Sequence, residues 1–167
     1  MKAPEEPLVW PPDYPPTDWA KKFFIGVRWL GPDLRFFKYL RDQQAKRTAG
    51  HTALWLTQEE RDVALIMGKH FQHCIGWRTP FFLPDDLLCT IAGGSSFDTD
   101  TMDFVDAIDA IGKQLGLAIG DQVWLDANDK PLAYIVRKII QMQKEKAEPT
   151  SAAVSLPAPC PRYSVSQ

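Results

Sequence analysis

Asp98-Thr-Asp-Thr-Met-Asp-Phe-Val-Asp-Ala-Ile-Asp-Ala-Ile-Gly-Lys-Gln-Leu-Gly-Leu-Ala-Ile-Gly-Asp121 is the stretch whose reading decides the fold. Asp100 and Thr101 place short polar side chains where oxygens satisfy the free N–H groups of a helix start. Met102, Val105, Ile108, Ile111 and Leu115 then recur at three- and four-residue spacing, the pattern of one buried stripe. Asp103, Asp106 and Asp109 recur every three residues beside it, with no basic residue before Lys113. Gly116, free to adopt positive φ, ends the run. The spacing predicts a helix of about fifteen residues, about 22 Å long, with a hydroxyl at its tip and carboxylates down its flank.

The neighbouring segments are also helical. Thr57-Gln58-Glu59-Glu60 has the form of a capping box, and Val63, Ile66, Met67, His70 and Phe71 then share one face of a helix over 57–74. Residues 75–97 form a long connection. Within it Pro80-Phe81-Phe82-Leu83-Pro84 is extended, 84–88 reads as one helical turn of a short helix near 84–91, and Gly93–Ser96 is flexible. Trp124 and Leu125 precede a polar turn at 126–129. Pro131 suits a first helical turn, and Leu132, Ile135, Val136, Ile139 and Ile140 form the buried face of a last helix over 130–144. No run of alternating polarity is long enough for a sheet, so the class is all-α, a four-helix bundle over 57–144.

This arrangement resembles the acyl carrier proteins. Asp100-Thr101-Met102 falls on that family's Asp-Ser-Leu motif, and Leu115-Gly116-Leu117-Ala118-Ile119-Gly120-Asp121 falls on the segment that closes its second helix. Leu132, Tyr134 and Ile135 match apolar positions of its last helix. The resemblance covers residues 57–143, about half the chain. It implies a bundle that docks on partner enzymes through the acidic helix, with Asp100, Asp103, Asp106, Asp109 and Met102 as the contact residues. It also implies 4'-phosphopantetheine on the motif's serine, a position that here is Thr101. The threonine methyl stiffens χ1 and crowds the oxygen that a transferase must align, and Phe97 and Asp98 stand where the family has a glycine. The expectation is therefore a carrier-like protein without its prosthetic arm. The alternative is a specialised carrier that bears the arm on Thr101.

Charge is unevenly spread within a formal total of −2. Residues 19–56 have eight Lys/Arg against Asp33 and Asp42, 84–129 have ten aspartates against Lys113, and 130–167 are basic again. Carboxylates close together on one helix cost stability through repulsion, so a basic protein surface is the expected partner, and the chain's own residues 19–47 are one candidate. That segment is aromatic as well as basic. Trp19, Phe23, Val27 and Leu30 make one stripe, and Leu34, Phe37 and Leu40 resume it in a second helix after Pro32-Asp33. Packing on the domain or a partner ranks first for this segment, and anchorage on a membrane surface is the second reading. Nucleic acid is not expected, because the acidic helix repels phosphates. Four segments result: a Pro-rich arm over 1–18, a basic aromatic helical extension over 19–56, the carrier-like domain over 57–144, and a disordered tail over 145–167.

Catalysis is not expected. The aspartates lie on a helix surface instead of in a desolvating pocket, and no histidine stands in a nucleophile motif. His70, His73 and Cys74 share a helix surface but have no fourth ligand at a suitable spacing, so no metal site is expected. Three cysteines without paired spacing, no secretory pattern around Pro4-Glu5-Glu6-Pro7 and no long apolar run together suggest a cytoplasmic protein.

Overall fold

A computed structural model describes residues 6–12, 14, 34–92 and 102–147, apart from the side chains of 34–36 and 102. The described residues are all-α. Helix α1 spans Leu34–Gln44 and a 3₁₀ helix spans Ala49–Leu54. Helix α2 spans Gln58–His70 and passes directly into a π-helical segment, Phe71–Ile75. Helices α3 (Leu88–Ile91), α4 (Met102–Leu115), α5 (Asp121–Ala127) and α6 (Leu132–Ala147) follow. None of the described helices is long and apolar enough to cross a membrane.

Each boundary has a local cause. Glu60 N–H donates to Thr57 Oγ1 at 3.1 Å, and Glu60 Oε2 accepts from the backbone of Thr57 and Leu56. The capping box of α2 is thus formed, and Glu60 then reaches 2.8 Å across to Arg137 of α6. The π segment stops at Gly76, whose φ is +85°. The α2 backbone comes so close to the following chain that a Cβ on Gly68 would lie 2.0 Å from the Pro80 carbonyl oxygen. Helix α6 follows Pro131, whose side chain has no oxygen to offer as a cap. The free N–H groups of Leu132 and Ala133 donate instead to the carbonyls of Asp86 and Pro84, at 2.7 and 2.9 Å. Those bonds take the Pro84–Asp86 backbone out of helical pairing, so the helical turn expected at 84–88 begins only at Leu88.

Two further expectations are corrected. The segment read as Trp124-Leu125 plus a polar turn is helical over 121–127, because Trp124 and Ala127 lie one turn apart and are both buried. The stripe on α4 is rotated from the one expected. Phe104, Ala107 and Ile111 are buried, Ile108 and Leu115 pack against them, and Val105 is 46 % exposed. A strict three-residue series turns back by about 60° per step on a helix of 3.6 residues per turn. Met102, Val105, Ile108 and Ile111 therefore cannot share one face. Phe104, Ile108, Ile111 and Leu115 alternate steps of four and three, and they do share one.

The core does not stop at residue 57. Leu8, Phe37, Leu40 and Trp55 belong to the same buried cluster as Met67, Phe71, Phe104, Ile111 and the whole inner face of α6. Aromatic rings tie its levels together. Phe71 stacks on Phe104 at 6.2 Å, Trp77 meets both Phe37 and Phe82 edge-on, and Phe104 meets Trp124 edge-on. Buried residues before Thr57 thus share one core with those after it. Such apolar and aromatic side chains gain most by joining the one available core.

Candidate functional site

Helix α4 lies against the π segment Phe71–Ile75 and against α2, with Phe104 and Ile111 inward. Seen down its axis, Asp106 points opposite the core, and Asp103 and Asp109 fan out about 60° to either side. All three carboxylates are exposed. The fan is interrupted once, where Lys113 Nζ lies 3.6 Å from Asp109 in the favourable acid-before-base order. Both groups of that pair are largely in water, so it contributes little.

One shoulder of the acidic fan is apolar. Val105 stands exposed beside it. Farther along, a groove of about 350 Å³ runs between α4 and the chain leaving it, lined by Ile108, Asp109, Gly112, Lys113, Leu117 and Ile119 among others. Glycine builds this end. Leu117 N–H donates to Gly112 O and Gly116 N–H to Lys113 O, with Gly116 at φ +64°, which is the paired closure of a Schellman turn. A Cβ on Gly112 would meet the Leu117 oxygen at 3.0 Å. Lys146 Nζ donates to the Gly116 carbonyl at 2.6 Å, which sets a cation at the negative end of the helix.

On the other shoulder, Cys74 is half-buried. Burial, and then the charges of Asp106 and Asp103, push its thiol above the ordinary range and keep it protonated at neutral pH. His70 Nε2 lies 2.6 Å from Gln114 Oε1, and His73 is exposed. Among the described residues no group of three or more His, Cys, Asp or Glu is placed to hold a metal.

The structure therefore brings Asp103, Asp106 and Asp109 onto one outer surface. Asp100 and Thr101 lie outside the described residues, as does the side chain of Met102. Residues 19–33 of the basic extension lie outside the described residues. Phe37 and Leu40 turn into the core, and Arg47 pairs with Asp86 instead of with α4. Asp86 thereby drops out of the acidic surface. Tyr134 is 39 % exposed under Lys130, whereas Leu132 and Ile135 are buried. Sequence reasoning missed the Val105 shoulder and the glycine-built groove. The 100° turn per residue was the signal available for the first of these. No protein-family model, curated protein or solved structure matches the chain.

Proposed function

We propose that the protein is acyl-carrier-like, with a four-helix bundle at its centre, and that it acts without catalysis by docking basic partners on α4. Its attachment position, Thr101, carries no phosphopantetheine arm in this reading. The observation that carries the proposal is the combination on one helix of three exposed carboxylates, an exposed Val105 and a bordering groove. A concentrated charge patch steers association, and an apolar shoulder gives the encounter something to bury.

A phosphopantetheinyl transferase tests this, since such an enzyme must dock on a carrier surface before it can transfer. The protein is incubated with a broad-range transferase and coenzyme A and then weighed intact. Wild type should gain no mass, and Thr101→Ser should gain one phosphopantetheine. Adding Asp103→Asn, Asp106→Asn and Asp109→Asn to Thr101→Ser should abolish the gain. A Thr101→Ser protein that is never modified sinks the carrier-like reading. A wild-type gain that is lost in Thr101→Ala replaces the silent site with a working carrier.

A further inference from the structure

Away from the acidic face, residues 6–9 (Glu-Pro-Leu-Val) run extended across α1 and the Leu83–Asp86 turn. Their backbone is held mainly by side chains. Leu8 N–H donates to Asp86 Oδ1 at 2.8 Å, Arg47 Nη2 donates to Glu6 O at 3.1 Å, and the Gln43 amide makes two 3.4 Å bonds to Val9 N–H and O. A side-chain amide that meets both the N–H and the C=O of one residue imitates a neighbouring strand. Leu8 enters the core and is 3 % exposed, Val9 is 61 % exposed, and Trp10 again packs against the core, partly buried. Main-chain bonds combined with a pocket for one side chain are the means by which proteins bind extended peptides.

The receptor side is held in place independently of the strap. Asp86 takes Leu83 N–H at 2.7 Å and two bonds from Arg47, and none of the three involves residues 6–9. Gln44, next to Gln43 on α1, is fully buried and fixed to the backbone of Thr79 and Phe81. A cavity of about 680 Å³ lies beside the strap, with Glu6, Pro7 and Val9 on one wall and Tyr39, Asp42, Gln43 and Lys46 of the α1 region on the other. Tyr39 is 45 % exposed there.

We propose that α1 and the Leu83–Asp86 turn form a peptide-recognition groove, occupied here by the chain's own Pro7-Leu8, that takes an extended Pro-Leu segment of a partner chain when this strap lifts. Proline before the inserted leucine holds the ligand extended ahead of binding and lowers the entropy lost on docking. The resident segment is then a competitor built into the receptor.

The probe is a fluorescein-labelled peptide with the sequence of residues 3–12, titrated against full-length protein by anisotropy. Leu8→Asp in the protein unseats the strap and should raise peptide affinity at least tenfold over wild type. Gln43→Ala in that background should reduce it, and Leu8→Asp in the peptide should abolish binding. Folded Leu8→Asp protein that binds no tighter than wild type overturns the proposal. Hydrogen exchange of wild type decides the case if Leu8→Asp does not fold. A Leu8 amide that exchanges at least tenfold faster than that of Ile139 shows a strap that lifts from an intact fold. Equal exchange at the two sites shows a permanent part of the core and overturns it.

Discussion

At the scale of single residues, the fold depends on two acids that lie far from their bases in the chain. Asp86 is fully buried and accepts from Arg47, Leu83 and Leu8, and the Arg47 side chain is 2 % exposed. A buried ion pair is weak evidence of stability when exchanged whole, but removing one member strands a charge. Arg47→Met should therefore cost about 3–5 kcal/mol, read as a lower urea midpoint with an unchanged slope. Arg47→Lys should recover little of this, because a lysine cannot make the two-pronged contact. The second acid, Glu60, has its proton affinity set by its partners. Its hydrogen bond from Arg137 holds its carboxyl below the ordinary range against the opposing effect of burial, helped by the Thr57 and Leu56 N–H groups. A lowered folded-state pKa gives stability that is complete above the unfolded value and is lost as pH falls through the folded one. Glu60→Gln should thus cost stability at pH 7 and flatten the decline below about pH 4.3, the ordinary glutamate value. Urea midpoints taken from pH 7 down to pH 3 would show it.

At the scale of elements, α4 separates folding from docking. Asp103, Asp106 and Asp109 repel one another at i,i+3, so Asp106→Asn should leave α4 unchanged or more stable by about 0.2–0.5 kcal/mol. The same change should weaken association with a basic partner and reduce its salt dependence. Thermal unfolding and transferase modification of the Thr101→Ser protein, each measured with and without Asp106→Asn, check the two signs together. A residue kept for stability would lower both. This helix also shows what the sequence makes legible. Its start region, its end at Gly116 and its exposed acids follow from local pattern, as do the capping box of α2 and the inner face of α6. The burial of Phe104 over Val105 needed the angular drift of a three-residue series to be followed for several turns. Helix α5 was hidden by its length, because two buried positions in seven residues make a weak period. Arg47–Asp86 and Glu60–Arg137 join positions 39 and 77 residues apart, and no local pattern encodes such a meeting. The Pro7-Leu8 strap was hidden for the same reason, since its partners lie at positions 43, 47 and 86.

At the scale of the whole molecule, one core draws on the chain from Leu8 to Ile140. A chain begun at Thr57 would keep α2 to α6 and lose Leu8, Phe37, Leu40 and Trp55. Burial of each such side chain contributes about 1.5–3 kcal/mol, and the four together rival the total stability of a typical domain, about 5–15 kcal/mol. The shortened chain should show no cooperative thermal transition by circular dichroism, whereas the full chain should show one. The same feature orders events during synthesis. Leu8 meets Asp86 across 78 positions, and a ribosome adding about 5–20 residues per second needs roughly 4–16 s to supply the second after the first. For that interval the Pro7-Leu8 segment is exposed outside the ribosome with its own pocket not yet made. A segment made 78 positions ahead of its partner is therefore among the last to settle.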